Sequence, residues 1–218
     1  MAHKEYDFEP IKGLPETLPV GEEILWQGRP DWWMLSWQSL SLPWVLGYFL
    51  VLASWRFISV IDQIPLGQAV GATLPFLFLA ATVFVLLLVV GYIQARASLY
   101  TITNRRVVMR IGAALTLTLN VPYTQIAAAS LCLDRRGTGT IAFETMGATR
   151  LGYIVCWPHV RPWHLKRVQP ALRAIPNALE VSDLLSKAAN SQVRVARSSA
   201  SRSSSVQMVA HSRILAAE

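Results

Sequence analysis

The sequence predicts a membrane α+β protein, in which a two-helix transmembrane hairpin is followed by a cytoplasmic β-rich domain that ends in a helix. Gly71–Ile93 is an uncharged run of 23 residues, and at about 1.5 Å of rise per residue such a helix crosses a bilayer core of roughly 30 Å. After Ala97 apolar and polar residues alternate with the period of two that is typical of strands. These two patterns together set the fold class.

The first span is predicted over about Leu42–Ile61, because tryptophans lie near both of its ends, as in the aromatic belts of membrane interfaces. These tryptophans are Trp37, Trp44 and Trp55. The loop between the spans contains no Lys or Arg, whereas basic residues precede the first span and follow the second. The chain is therefore expected to be a multi-pass membrane protein with both termini in the cytoplasm.

Charge is distributed unevenly along the chain. Residues 1–41 carry a net charge of −4, residues 42–93 carry none, and residues 94–218 carry +11. We expect the basic region to face anionic lipid, through the candidate residues Arg96, Arg105, Arg106 and Arg110. Nucleic acid is the weaker alternative, because the basic residues form no helix or motif of a nucleic-acid-binding kind.

Seven strands and one helix are predicted after the spans. The first two strands form a hairpin around Asn104-Arg105, where Asn tolerates a positive φ. The last element is a helix over about Asn177–Ala189, with Asn177 and Glu180 as a capping box and an apolar stripe that covers the curled sheet. The strands are expected at 98–103, 106–111, 114–121, 125–133, 139–144, 149–156 and 169–175.

Four regions follow from these patterns. Residues 1–41 form an acidic cytoplasmic segment with a Trp-rich lead-in, and 42–93 form the transmembrane hairpin. Residues 97–190 form the β-rich domain, and the Ser- and Arg-rich residues 191–218 are expected to be a flexible tail.

Two motifs resemble those of bacterial pleckstrin-homology (PH) proteins. Tyr100–Val108, YTITNRRVV, is similar to the opening hairpin of such domains, and Gly21–Pro30, GEEILWQGRP, is similar to the lead-in before their first span. The resemblance implies a PH-like seven-stranded β-barrel or sandwich with a C-terminal helix. An alternative function is then that of a membrane-anchored module that senses anionic lipid or scaffolds other membrane proteins.

Further segments resemble the PuhB family of photosynthetic complex assembly proteins from purple phototrophic bacteria. They include the N-terminal YDFEPIKGLPE, then WQGRPDWW at Trp26–Trp33, HVRPWH at His159–His164 and QPALRAIP at Gln169–Pro176. The resemblance covers about residues 5–190. It implies a non-enzymatic assembly factor that binds reaction-centre or light-harvesting 1 subunits and forms a homodimer.

Candidate partner-binding residues are mostly Trp and Arg, the types favoured at binding hot spots. Trp163 either belongs to a recognition loop or packs on its own domain, and Arg56 either snorkels from the first span or contacts a partner within the membrane. The N-terminal tryptophans either contact a partner or anchor the chain at the headgroups. The full set is Trp26, Arg29, Trp32, Trp33, Arg56, Arg161 and Trp163.

Chemistry-bearing motifs are not found in the sequence. There is no phosphate-binding loop, no HExxH and no paired Cys/His spacing, so we expect no enzyme activity, cofactor or metal. No His lies in a predicted span, which argues against pigment ligation there. Cys132 and Cys156 are expected to be small buried apolar residues.

Overall fold

A computed structural model describes residues 13–14, 17–113, 115–134, 137–146 and 152–195. Along the sequence, a strand and a short helix come first, and two long apolar helices follow them. The remaining strands and a last helix come after these two helices. All the strands form one β-sandwich, which the last helix covers. In chain order the elements are β1 Ile24–Gly28, α1 Trp32–Ser39, α2 Leu42–Ile61, α3 Leu66–Ala97, β2 Leu99–Thr103, β3 Arg106–Ile111, β4 Leu117–Pro122, a 3₁₀ turn Tyr123–Gln125, β5 Ile126–Leu133, β6 Gly139–Thr145, α4 Tyr153–Cys156, β7 Ala171–Ile175 and α5 over 178–195.

The α2–α3 hairpin contains two helices that are long and apolar enough to cross a membrane. Helix α2 has the bounds that the sequence predicts, and α3 extends the predicted uncharged run at both ends. With 32 residues, α3 is about 48 Å long. That length exceeds a hydrocarbon core of roughly 30 Å, so part of α3 can lie beyond the bilayer.

Helix α1 joins the hairpin to the sandwich. Asp31 caps it, because its Oδ1 accepts a hydrogen bond from the Met34 amide at 2.8 Å, and the Asp31 amide donates to the Ala174 carbonyl of β7 at 2.8 Å. Leu35 is fully buried in a small cluster with Met34, Ala95 of α3 and Ala174. The end of α3 is therefore held against the sandwich by side-chain packing as well as by the chain itself.

Gly91 allows α1 and α3 to approach closely, and its substitution is a direct test of this contact. A Cβ at Gly91 would lie 1.9 Å from Ser36 Oγ and 3.0 Å from Ser36 Cβ. We expect Gly91→Ala to cost about 1–3 kcal/mol of unfolding free energy, as overpacking does. Thermal unfolding in detergent measures this effect.

The same substitution at Gly71 is the matched control, because Gly71 lies in the same helix with nothing within 4 Å of its added Cβ. Ser36→Ala should restore part of the stability lost in Gly91→Ala, since it removes the closest atom. Equal melting temperatures for the two glycine variants would contradict the contact.

Two antiparallel sheets form the sandwich, with strand orders β1-β2-β3-β4 and β5-β6-β7. Their inner faces share one core, onto which α5 packs Ala178, Val181, Leu185 and Ala188. The apolar stripe predicted for the last helix is thus confirmed. The largest fully buried side chains of this core include Tyr100, Phe143, Ile102, Met109, Ile141, Leu172 and Ile175.

Several expectations for this domain are wrong. The sheets form a two-layer sandwich rather than a closed barrel. The strand expected at 149–156 is absent from its described part, where residues 153–156 form a helical turn that buries Cys156 and leaves Ile154 and Val155 exposed. Alternating burial, which a half-buried strand needs, is missing there. Residues 147–151 lie outside the described residues.

The ends of the domain also differ from the prediction. Strand β1 pairs with β2, so the sandwich takes its first strand from the segment assigned to the N-terminal region. Helix α5 continues to residue 195, beyond the predicted start of the tail, and residues 196–218 lie outside the described residues. Asn177 precedes α5 with a φ of 51°, whereas an N-cap residue usually lies in the β region.

Candidate partner-binding and lipid-binding surfaces

Asn104 attaches the lead-in segment to the β2–β3 hairpin. Its Oδ1 accepts from the Glu23 amide at 3.1 Å, its Nδ2 donates to the Gly21 carbonyl at 2.9 Å, and its own amide donates to the Glu23 carbonyl at 3.1 Å. Asn104 is not among the described residues with positive φ, so the conformational role expected for it is wrong. Its side chain is needed for a contact across 81 residues of sequence.

Glu22 forms a buried ion pair with Arg106. The guanidinium donates from Nε to Oε1 at 2.7 Å and from a terminal nitrogen to Oε2 at 3.0 Å, and Thr103 Oγ1 donates to the same carboxylate at 2.8 Å. The Glu22 side chain is 2% exposed and that of Arg106 is 25% exposed. Arg106 is thus engaged in an internal ion pair while a quarter of its side chain stays exposed, and its contact with lipid stays a prediction.

The four candidate lipid-binding arginines do not form one surface. Arg105 lies at the turn of the β2–β3 hairpin beside Arg106, whereas Arg110 pairs with Leu99 at the other end of that hairpin. Arg96 lies near that second end and stacks over the Tyr92 ring, 5.3 Å from its centroid. At about 3.3 Å per strand residue, the two ends are separated by the length of a strand.

Four aromatic side chains cluster where α1 meets the end of α3. Trp33 lies edge-on to Trp32 at 5.7 Å and stacks on Trp37 at 6.1 Å, and Trp32 lies edge-on to Tyr92 at 6.1 Å. Each of the four side chains is between 36% and 43% exposed. Such a cluster suits either a headgroup anchor or a protein contact, so both alternatives for Trp32 and Trp33 stay open.

Trp26 does not belong to this cluster. Its ring is half-buried and packs against the core of the sandwich, and it lies so close to Gly28 that a Cβ there would come within 2.3 Å of the ring. Trp26 and Arg29 instead line a groove of about 320 Å³ with the start of α5. Arg56 is exposed on α2, on a different element from the other candidates.

The loop after Val160 presents Trp163 to solvent. Trp163 is 91% exposed and has a φ of 66°, so the alternative in which it packs on its own domain is wrong. Arg161 forms the base of the loop, where it donates to Ser130 Oγ at 3.3 Å and to Gln169 Oε1 at 3.1 Å. Arg161 thus orders the loop, and Trp163 is free to contact a partner.

A buried hydrogen-bonded row, which the sequence did not predict, connects α3 to β7. His159 is fully buried, with Nε2 2.8 Å from Ser98 Oγ and Nδ1 beside the Tyr100 hydroxyl. Ser98 Oγ donates to the Gln94 carbonyl at 2.7 Å, and Tyr100 Oη accepts from the Arg173 amide at 3.3 Å. In the sequence, the only sign of this row is that polar residues follow the apolar residues of α3 and precede β7.

The bonds at both ends fix the tautomer of His159. Because the Ser98 hydroxyl donates to Gln94, it accepts from Nε2–H, and Nδ1 then accepts from the Tyr100 hydroxyl. Burial, with the nearby Arg173 charge, lowers the pKa of His159 to about 3. Burial also raises the pKa of Tyr100, so both rings stay neutral at physiological pH.

A hydroxyl beside an imidazole can act as a nucleophile in hydrolases, but here Ser98 and His159 are both fully buried. The pair is therefore closed to solvent in this structure. No group of three or more potential metal ligands occurs among the described residues. Of the cysteines, Cys156 is buried as expected, whereas Cys132 is exposed on β5, so its expected burial is wrong.

The sandwich, the hairpin before it and the helix after it match a known family over a long region. The family model of the bacterial PH domain covers residues 40–189, which is more than half of the chain. This chain belongs to the bacterial PH domain family. The matched region of this bacterial PH domain protein includes both apolar helices, and β1 lies outside it.

A close relative extends the comparison over most of the chain. A protein of Rhodobacter capsulatus, described as a 23.7 kDa protein in the puhA 5′ region, is 45% identical over 195 residues. The alignment spans 88% of this bacterial PH domain protein and 91% of the relative. No solved structure matches the chain.

Proposed function

We propose that this bacterial PH domain protein is a non-enzymatic assembly factor of the PuhB type. In this proposal it binds reaction-centre or light-harvesting 1 subunits in the inner membrane of a purple phototrophic bacterium. The observation that carries the proposal is the 45% identical relative in the puhA 5′ region, because a gene in that region supports a photosynthesis gene context. The shared length indicates the same architecture in both proteins.

The pairing of β1 with β2 supports a hairpin topology. β1 precedes α2, β2 follows α3, and Gln27 pairs with Thr101 in one sheet. If both helices cross the membrane, the segments before and after them lie on the same side. The basic residues of the sandwich favour the cytoplasm for that side.

The surfaces of the hairpin suit contact with other membrane proteins. Large apolar residues such as Leu50, Val51 and Phe78 are more than 60% exposed, and no described part of the chain covers them. Lipid and partner helices both suit such a surface. The aromatic cluster of Trp32, Trp33, Trp37 and Tyr92, with Arg96, extends it to the interface and offers contact with anionic lipid as well.

Deletion of the gene tests the proposed function. We expect reaction-centre absorbance per cell to fall severalfold while growth in darkness is unchanged, because the factor acts only in photosynthetic assembly. Affinity purification from mildly solubilised membranes should recover reaction-centre or light-harvesting polypeptides. Normal reaction-centre content in the deletion strain would contradict the proposal.

Truncation of Trp163 tests whether the loop contributes to this function. Because the side chain is 91% exposed, we expect Trp163→Ala to change the unfolding free energy by less than about 0.5 kcal/mol. Recovery of photosynthetic polypeptides should nevertheless fall severalfold. Leu165→Ala is the matched control for lost apolar area on the same loop, and unchanged recovery with Trp163→Ala would exclude the loop from the contact.

A further inference from the structure

Among the described residues, strand β5 is a sheet edge that no other strand covers. It is the outer strand of its sheet, and no described strand pairs with its other side. Every residue from Ala127 to Leu133 is exposed, and Ile126–Leu133, IAAASLCL, contains no charge and no proline. Natural proteins protect long edges with charges, prolines, bulges or a covering element. The one irregularity, at Ile126/Ala128, leaves the rest of β5 regular.

A groove runs beside this edge, between β5 and α5. Its volume is about 430 Å³. Small and apolar side chains line most of it, and Asp183 of α5 is its one charged lining residue. The apolar part of the lining includes Ala127, Ala129, Leu131, Leu185 and Ala189.

We propose that this groove binds an extended polypeptide segment of a partner protein, which adds a strand to β5. The chemistry of the edge indicates the class of ligand. The unpaired amide and carbonyl groups along a strand need a ligand in which hydrogen-bond donors and acceptors alternate, as they do in a polypeptide backbone. An acyl chain has no donors and no acceptors along its length. The small groove residues admit apolar side chains at alternate positions. The Asp183 carboxylate favours a Lys or Arg at one end of the segment.

A single extended segment fits this position better than a second copy of the chain. Helix α5 lies beside β5 across the groove. Symmetric pairing of two β5 strands would therefore bring the α5 helices of both copies to the same side of the paired edge, where they would crowd each other. A flexible or terminal segment brings no such helix. The inference goes beyond the proposed function, because it does not require the partner to be photosynthetic.

Hydrogen exchange on the full-length protein in detergent tests the inference. The probe is an acetylated, amidated peptide, Lys-Val-Thr-Val-Ala-Val-Thr. At ten times its Kd, exchange of the β5 amides that face the free edge should slow about tenfold. A peptide with proline in place of its central valine is the control, since proline cannot donate the strand hydrogen bond.

A charge swap tests the end contact. With Asp183→Lys, we expect the preference to move from the Lys peptide to the matching Glu peptide, by about two- to fivefold in Kd for each exposed pair. Ala129→Lys, which fills the groove at an exposed position, should remove the protection.

Three results would overturn the proposal: no protection of β5 by the Lys peptide, equal protection by the proline peptide, or protection that rises with protein concentration alone. The last result would assign β5 to a second copy. Each is independent of the gene-deletion result, so the proposed function and this inference can fail separately.

Discussion

Acidification from pH 6.5 to 4.5 is expected to destabilise the protein by roughly 1 kcal/mol per pH unit, through His159 alone. The pKa of His159 is lowered to about 3 in the folded state, against about 6.5 in an unfolded chain. Below pH 6.5 the unfolded chain therefore binds a proton that the folded chain does not. The stabilisation is fully present above pH 6.5 and is lost as the pH falls toward 3.

The main structural reason is the burial of His159, and the direction of the buried hydrogen bonds acts in the same sense. A second proton on His159 would place Nδ1–H against the Tyr100 hydroxyl, which already donates toward that nitrogen. The imidazolium would also lie near Arg173, whose charge lowers the pKa further. Protonation therefore loses a hydrogen bond and brings two buried positive charges together.

Urea unfolding in detergent between pH 4.5 and 6.5 measures this slope, in a window above the ordinary pKa values of carboxylates. His159→Gln should remove most of the slope. His164→Gln is the matched control, because His164 is partly exposed on the loop, with its Nδ1 2.9 Å from the Pro162 carbonyl. A slope that persists unchanged in His159→Gln would disprove the assignment.

Glu22→Gln is expected to cost about 2–3 kcal/mol of unfolding free energy. Breaking a buried ion pair costs about 3–5 kcal/mol, and the lower figure follows because Arg106 is 25% exposed and water compensates part of its charge. The loss should also release β1 from the sheet, since Glu22 precedes that strand. Urea unfolding at neutral pH measures the change.

Glu23→Gln is the matched control, because Glu23 is exposed and contributes only backbone groups to Asn104. We expect its effect to stay within about 0.5 kcal/mol. The double variant Glu22→Gln/Arg106→Gln should cost less than the sum of the single changes, since it removes both charges together. Equal effects at Glu22 and Glu23 would show that the pair adds little.

Periodicity and turn residues predicted the elements that depend on short stretches of the sequence. The bounds of α2, the β2–β3 hairpin and the stripe of α5 follow from periodicity and turn residues. The strand expected at 149–156 was wrong because an apolar run can also form a helical turn. Apolar composition alone does not distinguish the two.

Contacts between distant segments could not be read from the sequence. Strand β1 has five residues and a partner more than 70 positions away, and its pattern resembled a membrane lead-in. The pairing of Glu22 with Arg106 was missed for the same reason, because the two residues are 84 positions apart. Cys132 was misjudged because its apolar neighbours belong to an exposed edge.

The position of β1 before the hairpin also determines the order of events during synthesis. Ile24 leaves the ribosome 79 residues ahead of its partner Thr103, so at about 5–20 residues per second the strand waits roughly 4–16 s. Both apolar helices emerge within that interval. The first sheet is therefore completed only after the hairpin has been made. A nascent chain whose hairpin failed to form correctly would keep β1 unpaired, and cellular quality control could recognise that unpaired strand.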